Sequence, residues 1–148
     1  MSCHNIVQSV SAIATTTSAR TMQLVAAASN HAIEWEQIEI GFDGTSTTGA
    51  QVLVELLKGA SGGTATAANP AELDSSQPET VQSTGNKDYS AEPSGGTVFR
   101  SQYVHPQGKY IFTPINKAEA RIAGGSSISV RVTVSSAVNY AGRIVANE

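Results

Sequence analysis

Residues 127–135 read SISVRVTVS, and the alternation in them does not slip. Ile128, Val130, Val132 and Val134 point one way, while Ser129, Arg131 and Thr133 point the other. Successive side chains of a β-strand leave opposite faces of the sheet, so this stretch predicts a strand with one buried and one wet face. The pattern continues on both sides of it. Val138, Tyr140, Gly142 and Ile144 share a parity with Arg143 opposite, and Gly124–Gly125 marks the turn before the first strand.

Working towards the N-terminus, residues 98–105 place Phe99, Tyr103 and His105 on one face. His105–Pro106–Gln107–Gly108 fits a type I turn, with proline second and glycine fourth. Residues 109–115 then return, so 98–115 read as a hairpin. Residues 51–58 (QVLVELLK) are β-branched at Val52 and Val54 and suit a strand buried on both faces, with a short helix as the competing reading. In residues 32–42 the phase breaks. Ile33 and Trp35 share one parity, whereas Ile38, Ile40 and Phe42 share the other. One extra residue near Glu36–Gln37, a β-bulge, returns both sets to one face. An amphipathic helix is the alternative, but the strict alternation of 38–42 into Asp43–Gly44 favours the strand. Met22, Leu24 and Ala26 indicate a further strand.

Between Gly59 and Thr97 apolar residues thin out to Leu73, Val81 and Tyr89, among Pro70, Pro78 and Pro93. A polar loop region is expected over 59–97, with short edge pieces at 64–67 and near 80–83. The fold class is therefore all-β: an antiparallel two-sheet sandwich, jelly-roll-like, of about eight strands. Residues 19–148 form a single domain. Residues 1–18 carry Ile6, Val7, Val10 and Ile13 without a clear strand period. They read as an N-terminal arm whose four aliphatic side chains bind a partner; the competing reading is a first strand of the domain's own sheet.

Ala, Ser, Thr and Gly fill 65 of the 148 positions and only 14% are charged, so the surfaces are small and weakly charged. A net charge of −3 with scattered basic residues gives no footprint for nucleic acid or for an anionic membrane. The lone Cys3 rules out an intramolecular disulfide and a thiolate cluster, and favours cytoplasmic synthesis. No apolar run approaches the ~20 residues of a membrane-spanning helix, and the N-terminus lacks a signal-peptide pattern, so a soluble protein is expected.

No catalytic residue, cofactor or metal site is predicted. His4, His31 and His105 lack ligand spacing, and Cys3–His4 alone makes a poor metal site. Residues 58–64 (KGASGGT) have the wrong spacing for a phosphate loop and read as a flexible turn. Glu34, Glu36 and Glu39 read as a solvated strand face paired with Arg100, Arg121, Arg131 or Arg143. Trp35 reads as a core or interface anchor.

Four segments carry a family likeness: GTSTTGAQVLVELLKG (44–59), GTATAANPAELD (63–74), YVHPQGKYIFTP (103–114) and GGSSISVRVTVSSAVNYAGRIVANE (124–148). In order and character they resemble the small jelly-roll decoration, or cement, proteins of tailed-phage capsids. The resemblance spans roughly residues 20–148. It implies a homotrimer clamped on the outside of the capsid shell, with the major capsid protein as partner and the virion surface as location. The alternative is a carbohydrate-binding jelly-roll module of a phage tail or receptor-binding protein, which needs exposed aromatics. A cupin-like or hydrolytic enzyme would need a histidine-rich strand pair, and the chain has none.

Overall fold

The alternating segments do become strands, and hydrogen bonding sorts them into two antiparallel sheets packed face to face. A computed structural model describes residues 4–44, 50–76 and 79–148. In chain order the strands are β1 (Asn5–Ala14), β2 (Arg20–Ala26), β3 (Ile33–Phe42), β4 (Val52–Lys58), β5 (Thr64–Ala67), β6 (Ala71–Glu72), β7 (Thr84–Ala91), β8 (Thr97–Val104) and β9 (Lys109–Phe112). After a single helical turn, α1 (Lys117–Ala120), come β10 (Arg121–Ile122), β11 (Ser127–Thr133) and β12 (Asn139–Asn147). The first sheet runs β10–β3–β12–β1–β6, with β9 also on β3, and the second runs β5–β7–β2–β11–β4–β8. Chain neighbours such as β1 and β2, β3 and β4, or β11 and β12 lie in opposite sheets, so most connections cross the sandwich.

The core is the set of inward parities. Ile128, Val130 and Val132 of β11 meet Val52, Val54 and Leu56 of β4, and face Ile33, Trp35, Ile38 and Ile40 of β3 across the gap. Two bulges set these phases. In β3 the register passes from Val145↔Gln37 to Ala146↔Trp35, which leaves Glu36 as the extra residue and sends Trp35 and Ile38 to the same side. In β2, Gln23 opposes Val130 and Thr21 opposes Arg131, so Met22 is extra. Met22 and Gln23 therefore both reach the core side, while Leu24 turns outwards to pack with Tyr89 and Ala60. Trp35 is fully buried, its indole N–H donating to the Glu119 carbonyl at 2.9 Å. Phe99 lies 6.2 Å from its ring and the Arg100 guanidinium 5.9 Å above it.

A chain of polar groups crosses the apolar space. The Gln8 amide nitrogen lies 2.7 Å from the Ala68 carbonyl, 3.0 Å from that of Leu24 and 3.3 Å from that of Asn86. Its oxygen accepts from the Gln23 amide at 3.0 Å, and the Gln23 oxygen accepts from the Tyr140 hydroxyl. Burial pushes the Tyr140 phenol well above its usual range, so it stays a donor.

Four expectations are corrected. The described part of the expected N-terminal arm, residues 4–18, is not an arm. Residues 5–14 are β1, paired with β12 from Asn5↔Asn147 to Ala14↔Asn139, and its inward residues Ile6, Gln8, Val10 and Ile13 are buried. The period was hidden because Gln8 occupies an inward position and because Ser11–Ala12 bulge between Val10 and Ile13. The region 59–97 holds more strand than expected: β5 lies where an edge piece was expected, none forms over 80–83, and β7 is a full strand between β2 and β5. Residues 98–115 are not a hairpin. The turn is present, with Gly108 N–H donating to the His105 carbonyl at 3.0 Å, but β8 joins β4 in one sheet and β9 joins β3 in the other. The strands number twelve rather than about eight among the described residues.

Trp35→Ala should cost about 3–5 kcal/mol, the usual loss for a large buried aromatic, read as a lowered denaturation midpoint with an unchanged denaturant slope. A midpoint like that of the parent chain would show that the indole is not core. Deleting residues 1–18 should abolish cooperative unfolding, since it strips β12 of a strand neighbour and takes Gln8 out of the core. A shortened chain that melts as the full one does would restore the arm.

Candidate functional site

The outer face of the first sheet carries rows of side chains set by register. One row runs Ile111–Glu39–Arg143–Ser9 across β9, β3, β12 and β1, and the next runs Lys109–Gly41–Ala141 to the bulge at Ser11–Ala12. A third row, at the strand ends, pairs Asp43 with Asn139. The small residues of the middle row leave a trough of about 920 Å³, with Glu39, Arg143 and Lys109 on one wall and Asp43, Asn139 and Gln107 on the other. The β1 bulge that shapes its far end holds Ala12 at φ +56°, a left-handed conformation that non-glycine residues seldom adopt.

Both walls are internally paired. Lys109 reaches Glu39 at 2.8 Å and Arg143 reaches it at 3.2 Å. The Lys109 hydrogen bond is the main reason the Glu39 carboxyl is held below its usual range, with the Arg143 charge adding to it. Asp43 accepts from the Asn139 backbone N–H at 2.6 Å and from its side-chain amide at 2.8 Å, and those bonds hold its carboxyl down as well. Such a trough offers carboxylate and amide groups to a polar ligand. Phe42 is its partly buried aromatic, stacked edge-on against Tyr140 beneath.

Two further exposed apolar patches lie towards the side of the sandwich where β8 and β9 end their sheets. Val98 and Tyr103, on the outer face of the second sheet, are 38% and 65% exposed, whereas Ile111, on the outer face of the first, and Ile115 after it are 55% and 79% exposed. These are large apolar groups in water, and exposed apolar groups of this kind characterise protein contacts when they cluster. Sequence parity put Phe99 and Tyr103 on one face. The structure separates them, because β8 skips Phe99 between Leu56↔Arg100 and Leu57↔Val98. Phe99 turns in towards Trp35 and Tyr103 turns out.

The four residues expected to bind a partner are placed in the domain's own sheet. Ile6, Val10 and Ile13 are core, and Val7 is half-buried between Ala71 and Val145, so none is a free anchor. His4 is buried where β1, β6 and the end of β12 meet. Its Nδ1 lies 3.2 Å from Glu72 and its Nε2 lies 3.3 Å from Glu148. The second Glu148 oxygen accepts from the Gln82 and Ser83 backbone N–H groups at 2.7 and 3.0 Å. The two ring nitrogens face different carboxylates on opposite sides, so this is a structural tie rather than a metal-binding set. Cys3 lies outside the described residues. Among the described residues no group of three or more His, Cys, Asp or Glu side chains is arranged to hold a metal, and no helix is long and apolar enough to cross a membrane. The acidic cluster behaves as expected in two of its pairings, Glu34 with Arg121 and Glu39 with Arg143. Arg131 pairs instead with Glu55, and Arg100 with Glu119.

No protein-family model matches the chain, and no curated protein matches it in sequence.

Because Glu39 and Asp43 are depressed in the folded chain, their contribution is complete above the ordinary carboxylate range of about pH 4 and is lost as pH falls through their lower folded values. Melting temperature should therefore drop steeply below about pH 4, and the drop should be shallower in a Glu39→Gln, Asp43→Asn double variant. Parallel melting-versus-pH curves for the two chains would count against these two carboxylates as the source.

Proposed function

We propose that the chain is a capsid decoration protein of a tailed phage, held on the outside of the shell by the major capsid protein and stabilising that shell. The observation that carries this reading is the exposed pair Ile111 and Ile115 beside the open β8–β9 side of a sandwich whose sheets are cross-tied by buried polar groups. A protein that clamps a shell needs a rigid body and an apolar contact surface. It gains little from charge, and this chain has little to offer. The resemblance of residues 44–59, 63–74, 103–114 and 124–148 to cement proteins supports the same reading, and implies synthesis in the host cytoplasm and residence on the virion.

A second reading, a carbohydrate-binding module, draws on the trough over Gly41 and Ala141 with its Asp43, Asn139 and Gln107 wall. A Cβ at Gly41 meets nothing closer than the Gly108 carbonyl at 3.9 Å, so a Gly41→Leu change fills the trough without a backbone clash at its first atom.

The deciding experiment mixes purified protein with capsids stripped of their decoration and follows co-sedimentation. Binding should be saturable, and an Ile111→Asp, Ile115→Asp double variant of unchanged melting temperature should bind at least about tenfold more weakly, since each buried aliphatic side chain contributes about 1.5–3 kcal/mol. Absence of saturable binding, together with glycan binding that Gly41→Leu abolishes, would transfer the assignment to the second reading.

A further inference from the structure

Strand β8 ends its sheet with one side unpaired. Every residue pairing it makes is with β4, and among the described residues no other backbone group bonds to 97–104. Edge strands are usually defended by charge or proline. The sequence of β8, TVFRSQYV, has no proline and a single charge, and that charge is spent within the molecule. Arg100 donates to the Thr113 carbonyl at 3.1 Å and pairs with Glu119, turned in over Trp35. What remains along the edge is Thr97, Val98, Ser101, Gln102 and Tyr103, all exposed.

This edge is complementary to itself. β4 already fixes which side each residue faces: Val98, Ser101 and Tyr103 lie opposite Leu57, Glu55 and Leu53 on the outer face, Arg100 and Gln102 lie opposite Leu56 and Val54 on the inner face, and Phe99 is skipped. Turn a second copy antiparallel about a two-fold axis at Ser101, skipping Phe99 in both. Ser101 then meets its own copy, Arg100 meets Gln102, and Val98 meets Tyr103 twice. Each pair joins residues of the same face, which antiparallel pairing requires. The two exposed apolar residues of the strand cover one another as aromatic and β-branched partners, a favourable cross-strand combination. No like charges oppose, because the only charged side chain faces a neutral amide.

We propose that two copies of this chain associate through β8, antiparallel about Ser101, making one continuous sheet across the pair. This contact stands apart from the capsid surface at Ile111 and Ile115. It is an isologous alternative to the ring of three that the family resemblance implies, and molecular mass separates the two.

Two measurements test it. The first is light scattering on the full chain. A dimer is expected, and Tyr103→Lys, at an exposed position that should leave the melting temperature unchanged, should raise the dissociation constant by about tenfold or more. The second is cross-linking in a Cys3→Ser background. Directly opposed Cα atoms in antiparallel strands lie about 4.5–5.5 Å apart, within the range a disulfide spans. Ser101→Cys should therefore oxidise rapidly to a covalent dimer, whereas Ser90→Cys, exposed on β7, should not. A monomer mass, a trimer mass indifferent to Tyr103→Lys, or equal cross-linking at positions 90 and 101 would each overturn the proposal. None of these outcomes touches the capsid-binding result, which reads a different surface.

Discussion

One amide holds the stacking of the two sheets in register. Gln8, on β1 of one sheet, is hydrogen-bonded to carbonyls of β2 and β7 in the other, and through Gln23 to Tyr140 on β12. Leaving a buried polar group unmet costs roughly 1–3 kcal/mol, and here several groups depend on the same side chain. A one-residue slip of β1 against β12 would turn Gln8 to solvent and present Val7 or Ser9 to those carbonyls instead. The apolar core tolerates several arrangements of similar volume, whereas this network is satisfied in one. Two glycines make the space for it. A Cβ on Gly85 would run into the Gln8 amide and the Ala68 carbonyl, and one on Gly142 would run into the Gln23 oxygen and the Tyr140 hydroxyl. These glycines answer to close approach, not to turn geometry.

That dependence explains which parts of the fold were legible. In segments 127–135 and 138–145 the inward row read from parity is buried, Ile128, Val130, Val132 and Val134 in the one and Tyr140 and Ile144 in the other. The opposite face of the first is not wet throughout, since Ser129 is buried as well. The bulge in β3 was legible too, because Trp35 and Ile38 are large enough to expose a phase break. β1 was missed for the opposite reason. Its inward row reads Ile6, Gln8, Val10, and a glutamine in that row looks like the end of an apolar period. The amide earns its inward place only through partners on β2, β7 and β12, which no local pattern contains. β7 was missed similarly: TGNKDYSA has a glycine where a side chain would collide with Gln8, and its one large apolar residue, Tyr89, serves the small outer cluster with Leu24 and Ala60.

The surface was less legible than the core. Phe99 and Tyr103 part company because the register skips Phe99, which then packs beside Trp35 while Tyr103, opposite Leu53, faces out. The hairpin over 98–115 failed for a topological reason. The His105–Gly108 turn is correctly encoded, but a turn reverses the chain without deciding whether the returning strand pairs with its predecessor or crosses to the facing sheet. Here β9 finds β3, with Ile38↔Phe112 and Ile40↔Tyr110 in register, and Phe112 completes the core from that side.

The arginines are all handled in one way. All five arginines are ion-paired: Arg20 with Asp88, Arg100 with Glu119, Arg121 with Glu34, Arg131 with Glu55 and Arg143 with Glu39. Pairs of this kind at a surface contribute little to stability, about 0–1 kcal/mol each. Their larger consequence is what they remove. A guanidinium satisfied within its own chain is a poor donor to a partner and a weak guard on a sheet edge. With the arginines paired within the chain, the β8 side of the surface offers backbone edge, exposed apolar groups and shape rather than guanidinium donors. Contacts built from those elements are short in range and demand close fit, and they are screened little by salt. That is the regime in which a rigid, sparsely charged sandwich has the advantage over a flexible or highly charged one, because only a body that holds its edges still can match another surface without long-range steering.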